Sequence, residues 1–226
     1  MSKLEGAVVL VVGASGGLGS RIAAQLESAG AQVIRAARNP ETLSGTNSLL
    51  GDLTRTGGPA TIVNSAGAVH GQLDGVVIAA GSVAFGPVAE ITDATIDELF
   101  EINAVAPIRI IRESLPLLAA SASAGREPFI VTFSGVVAET PTAGLAVYSA
   151  AKAALAGFMK AATRELRRDG MRMLDVRPGH TETGLATRPI AGTAPAFPAG
   201  LDPDAVASRI VKAIVDGEKD LPSTAF

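Results

Sequence analysis

One stretch of the chain, AVVLVVGASGGLGSRIAAQLESAG from Ala7 to Gly30, leaves few folds open. Ala7 to Val12 is an unbroken, valine-rich apolar run, short enough to be a strand buried on both faces. Gly13, Gly17 and Gly19 then punctuate a tight turn. From Leu18 the period changes: Leu18, Ile22 and Leu26 share a helical face, and Gly30 supplies a C-terminal stop. A buried strand, a glycine turn and a helix opening from it gather backbone N–H groups and the positive end of a helix dipole at one spot. That is a phosphate cradle. The spacing is Gly-x-x-x-Gly-x-Gly rather than the common Gly-x-Gly-x-x-Gly fingerprint, and a corner that binds nothing is the alternative.

Further strands are expected at Gln32 to Ala37, Ser48 to Leu53, Leu73 to Ala80, Phe129 to Phe133 and Met173 to Val176. Between them, Thr92 reads as the N-cap of a helix with Ile96, Leu99 and Phe100 inside, and Thr95 with Glu98 as a capping box. This pattern runs on through Asn103 to Leu118, with a kink or break near Val105 ahead of Pro107. Ala143 to Arg168 and Pro203 to Val215 are helical, whereas the glycine-rich segment after Thr54 suggests only a short helix near Ala60 to Ser65. Strands alternating with helices predict a doubly wound parallel sheet in a three-layer α/β/α sandwich. One domain over 1–226 is expected, with a short lid at about 180–201 that has no period. Ligands of such sheets bind at the carboxyl ends of the strands, and Gly13, Arg38, Asp52, Gly81, Ser134 and Pro178 all fall there.

Composition narrows the function classes. Hydrophobic residues make up 47% but aromatics only 4%, as in alanine- and valine-rich helices packed on a parallel sheet. A net charge of −3 without a basic block argues against nucleic-acid or anionic-membrane partners. No cysteine is present, which removes disulfides, thiolate metal sites and cysteine nucleophiles. His70 and His180 lack a third ligand nearby in sequence, so no metal is expected. No apolar run approaches the ~18 residues of a membrane helix, and a cytoplasmic protein is expected.

Tyr148 is the only tyrosine and stands four residues before Lys152, which puts both on one helical face. A free phenol with a pKa of ~10 is a poor base at neutral pH, and a nearby ammonium lowers it. The pair is a workable acid–base unit, with an interface tyrosine beside a solvated lysine as the plainer reading. At the end of the second strand, Ala37 and Arg38 occupy the place where a carboxylate would accept the adenosine ribose hydroxyls, with Arg35 one alternation away. An arginine there accommodates a 2′-phosphate, so NADP(H) is preferred over NAD.

Taken together these residues resemble the short-chain dehydrogenase/reductase family, from Val8 to about Thr183. The resemblance implies hydride transfer between NAD(P)H and a carbonyl or alcohol, and with Arg38 the expectation is NADP(H) and a small substrate. Tyr148 would be the acid/base. Lys152 would lower its pKa and bind the nicotinamide ribose, and Asn103 would complete a proton relay. It implies a cofactor set of Gly13, Ser15, Gly17, Leu18, Gly19, Arg38, Asp52, Leu53, Ala80, Gly81, Tyr148, Lys152, Pro178, Gly179, Thr181 and Thr183. It also implies a homodimer or homotetramer through the alanine- and glycine-rich helices from Ile96 to Leu118 and Ala143 to Arg168. The chain departs from the family pattern in three places. Ile78-Ala79-Ala80-Gly81 replaces Asn-Asn-Ala-Gly, and the connection between the second and third strands is short enough to lack a helix. The position thirteen residues before the tyrosine, where the family has its catalytic serine, is Gly135, with Ser134 beside it. A bulge would let Ser134 take that role, with Thr132 and Thr140 as weaker substitutes. A nucleotide-sensing or ligand-binding protein that keeps the fold without catalysis is the alternative function, and a scaffold with an empty cradle is a third.

Overall fold

Short runs rich in Val, Ile and Leu form central strands that are covered on both faces, and seven strands assemble here into one parallel sheet. The computed structural model of the chain describes residues 4–40, 43 and 47–226. The strands are β1 (Val8–Val12), β2 (Gln32–Ala37), β3 (Ser48–Leu50), β4 (Gly75–Ile78), β5 (Phe129–Phe133), β6 (Arg172–Val176) and β7 (Asp220–Leu221), in the order β3-β2-β1-β4-β5-β6-β7. The order reverses between β1 and β4, so the carboxyl edge opens a crevice at that switch point.

The alternation of side chains divides the core into two layers. Val9 and Val11 of β1, Val131 of β5 and Leu174 of β6 pack against α1 (Gly17–Ser28) and α6 (Pro203–Asp216). Val8, Leu10 and Val12 face the other way with Ile130 and Met173, under α2 (Gly58–His70), α4 (Ala106–Ser123) and α5 (Ala146–Leu166). The remaining helix, α3 (Asp93–Phe100), is capped by Thr92, whose hydroxyl accepts from Thr95 N–H at 3.2 Å.

Three elements differ from expectation. Helix α2 has 13 residues where only a short helix near Ala60 to Ser65 was expected. Gly67 does not break it, because a side chain there would meet Leu117 of α4 at 2.9 Å; the glycine lets two helices close on each other. The break near Val105 is a wide turn of π-helix over Glu101–Val105 that joins α3 to α4 without interrupting the rod. Strand β7, two residues long, has no pattern to be read from. The expected lack of a helix between β2 and β3 falls mostly on residues 41, 42 and 44–46, outside the described residues.

Candidate active site

The cradle forms where β1 turns into α1. Gly13 has φ +83°, and a side chain on it would stand 2.6 Å from Ala80 N, so β1 and β4 close on each other only with glycine here. A side chain at Gly19 would run into the carbonyl of Gly13. The first α-helical bond here is Ser20 N–H to Gly16 O at 3.0 Å, which leaves the amides of Gly17, Leu18 and Gly19 without acceptors one turn back. Those of Gly17 and Leu18 open onto a cavity of about 670 Å³ that runs past Ala37 and Arg38, past Asp52 and Leu53, and on to Tyr148 and Lys152. Its size and elongated course suit a nucleotide cofactor with a small substrate beyond it.

At the β2–β3 end, Arg38 is exposed on the cavity wall. Hydrogen bonds from Thr54, with Arg38 and Arg55 nearby, hold the Asp52 carboxyl below its ordinary value. Arg35 does not reach the site: its guanidinium is paired with Glu27 of α1 at 2.9 Å.

At the other end, Tyr148 is half-buried and Lys152 is only 5% exposed. Lys152 Nζ donates to Phe133 O at 2.7 Å and lies 5.7 Å from the centroid of the Tyr148 ring. Burial pushes the Tyr148 phenol up to about 12. Burial also holds the Lys152 ammonium down at about 8, against a pull upward from Asp175. The sequence led to the opposite expectation for the tyrosine. The ammonium is turned to a carbonyl instead of the phenol oxygen, and loss of solvent decides the direction. A neutral phenol beside a cavity carries a hydrogen that it can donate.

Of the residues marked from the sequence, Gly13, Ser15, Gly17, Leu18, Arg38, Asp52, Leu53, Ala80, Gly81, Tyr148, Lys152, Pro178, Gly179, Thr181 and Thr183 line this one cavity. Gly19 packs beneath it. Asn103 is fully buried on the wide turn; its Nδ2 donates to Ser82 O and Leu99 O, both at 3.0 Å, and its Oδ1 accepts from Ser82 N–H at 3.3 Å. It fastens the end of β4 to α3 with every side-chain group engaged. Ser134 requires a correction. No bulge re-aims it; it keeps the alternation of β5, lies on the same face as Thr132, and donates its hydroxyl to Asp175 Oδ2 at 2.6 Å, away from the cavity. Gly135 takes its place on the wall with φ +72°. Thr132 is likewise bonded to Asp175, and Thr140 is not on the wall.

The apolar end was not resolved by motif. Val83, Phe85, Val137 and Leu145 form a small cluster of their own against Tyr148, Leu185, Ala186 and Ala194. The lid is tied at its ends by pairing of Thr181 with Leu201, and in its middle by Ile190 N–H to Val83 O and Phe85 N–H to Ala191 O, both 2.9 Å. His180 stacks on Phe197 with ring centroids 4.7 Å apart. Among the described residues, no group of three His, Asp or Glu side chains is arranged to hold a metal, and no helix is long and apolar enough to cross a membrane.

A family model described as short chain dehydrogenase matches residues 7–191. A dehydrogenase/reductase SDR family protein 7-like of Anopheles gambiae is 28% identical over 96% of this chain and 75% of its own length. An uncharacterized oxidoreductase of Methylorubrum extorquens is 31% identical over 85% of this chain and 81% of its own. The crystal structure of a short-chain dehydrogenase from Streptomyces avermitilis superimposes with a TM-score of 0.84 at 28% identity, covering 98% of this chain and 90% of that one.

Proposed function

The chain belongs to the short-chain dehydrogenase/reductase family, whose members are oxidoreductases using nicotinamide cofactors, and on that premise we propose that it reduces a small, largely apolar carbonyl compound with NADPH. One observation carries the reading. Tyr148 and Lys152 meet in the wall of a cavity that begins at a phosphate cradle, with the phenol held neutral and the ammonium held close to its midpoint.

The residues fit the cofactor in their chemistry. The open amides of Gly17 and Leu18, with Gly13 and Ser15, suit a pyrophosphate, with Gly19 packed beneath them, and Arg38 suits a 2′-phosphate. Asp52 and Leu53 would serve the adenine, and Ala80, Gly81, Pro178, Gly179, Thr181 and Thr183, which line the same cavity, would serve the nicotinamide. When bound, NADPH supplies the hydride. The protein's own part is to deliver the proton. Tyr148 Oη gives up its hydrogen to the substrate oxygen as charge develops there, and Lys152, once cationic beside it, stabilises the resulting phenolate. Asn103 has no free side-chain group, so a relay water would be held by the backbone of its wide turn. Val83, Phe85, Leu145 and Leu185 exclude water and select an apolar substrate. The exposed small residues of α5, among them Ala150, Ala153, Ala154 and Gly157, support self-association through this helix, which light scattering tests.

A second reading is favoured by Gly135. With no hydroxyl on the wall at that position, the protein would bind the dinucleotide without turning it over. Following NADPH oxidation across a panel of apolar aldehydes and ketones, beside an NADPH titration, separates the two. Binding with turnover supports the reductase, and binding without turnover supports the sensor.

A further inference from the structure

A buried carboxylate beneath the acid–base pair belongs to none of the roles above. On β6, Met173 faces the α5 side of the sheet within the apolar core. Two residues on, at the same face and nearer the carboxyl edge, the alternation calls for another apolar side chain. The residue is Asp175, 7% exposed.

Its surroundings are specific. Thr132, its partner in register on β5, donates to Oδ1 at 3.1 Å, and Ser134 donates to Oδ2 at 2.6 Å. These two hydroxyls flank Phe133, whose carbonyl receives Lys152 Nζ. Asp175 therefore pins the strand on both sides of the carbonyl that holds the lysine. Arg177 also donates to Oδ2, at 2.9 Å, but the same guanidinium serves Glu139 at 2.5 Å and Asp220 at 2.8 Å. One cation shared among three carboxylates does not neutralise them. Lys152 also feels Asp175, with no direct ion pair between them.

We propose that Asp175 is a positioning residue for the reaction, which fixes the Phe133 carbonyl under Lys152 and keeps the lysine cationic at the pH of turnover. The inference rests on Lys152 being the working partner of Tyr148. It also accounts for Ser134, whose hydroxyl serves the carboxylate. A buried, incompletely neutralised carboxylate gains nothing for stability that an apolar residue would not supply, which makes an electrostatic role the economical account of it. The charged and titratable groups that face this locus are Tyr148 on α5, Arg177 on β6, Asp220 on β7 and Glu139 after β5, with Glu98 of α3 on the cavity wall.

The test titrates Lys152 directly, without substrate or cofactor. Selective ¹³C labelling gives five lysine signals, and the one lost in Lys152→Met identifies the residue. In the folded Asp175→Asn variant the Lys152 midpoint should fall by about one unit or more, since a nearby opposite charge is worth about 1–3 units. Ser134→Ala frees the carboxylate of one donor and leaves its charge, so there the midpoint should rise; this variant decides the matter if Asp175→Asn does not fold. A wild-type midpoint in whichever folded variant is read overturns the proposal. Loss of all turnover in the wild-type protein would instead defeat the reductase reading and leave this titration standing.

Discussion

Gly17 and Thr183 are in direct contact across the mouth of the cradle: a side chain on Gly17 would stand 2.5 Å from Thr183 Cβ and 2.9 Å from the Thr183 backbone. The lid therefore rests on the N-terminus of α1, where it opens onto the cavity. Because backbone and not a flexible tip is what a methyl group would meet, the lid cannot yield locally. Gly17→Ala should weaken NADPH binding by about tenfold or more while the fold survives, as followed by nicotinamide fluorescence. Unchanged affinity in a folded variant would mean that the lid and cradle are not coupled.

Arg38 is an exposed cation on the cavity wall, whereas Arg35 is engaged by Glu27. Arg38→Ala should raise the KM for NADPH about 10–100-fold, the scale of a lost charge-assisted hydrogen bond, and leave that for NADH nearly unchanged. Equal effects on both cofactors would remove Arg38 from 2′-phosphate recognition.

Lys152 bears on stability as well as chemistry. Its ammonium titrates at about 8 when folded, against 10.5 ordinarily, so between those values the unfolded chain binds a proton that the folded chain lacks. Stability then rises with pH through that window, and the burden of the buried charge is felt in full below about 8. Tyr148 acts in the other sense above 10, where the folded chain retains a proton that the unfolded chain has released. Urea melts of the cofactor-free protein should accordingly show stability climbing from pH 8 to pH 10. Lys152→Met should abolish the climb and stabilise the protein at pH 7 by about 1–3 kcal/mol. A variant that still climbs would assign the pH dependence to another group.

Ser134 is turned to Asp175, so its loss should not resemble that of a group that touches substrate. Ser134→Ala is expected to reduce kcat by less than about tenfold, where a direct proton-transfer or oxyanion-binding group gives about 10²–10⁴. A loss in that upper range would return Ser134 to the substrate oxygen.

Much of this molecule could be read from its residues, and the rest was hidden for physical reasons. The apolar run to Val12, the glycine turn and the Leu18, Ile22, Leu26 face are local, and they placed β1, the cradle and α1. Helix α2 was underestimated because Gly67 looks like a breaker until Leu117 of the neighbouring helix is seen against it. The aim of Ser134 depends on whether β5 bulges, which spacing alone does not decide. Asp175 was visible as a polar residue where a buried strand alternates apolar, but its partners come from β5 and from beyond β6. The direction of the Tyr148 shift is a matter of lost solvent, which no local pattern records. Phe85, Leu145 and Leu185 meet only through the fold.

In the proposed nicotinamide-dependent reduction, Tyr148 donates the proton. Tyr148→Phe removes one oxygen from a half-buried side chain that, among the described residues, has no hydrogen-bond partner, so the fold and the cradle should be untouched. With a carbonyl substrate drawn from the panel, NADPH affinity should stay within about threefold of wild type while turnover falls by about 10²–10⁴. Turnover persisting near the wild-type rate with intact cofactor binding would contradict that role.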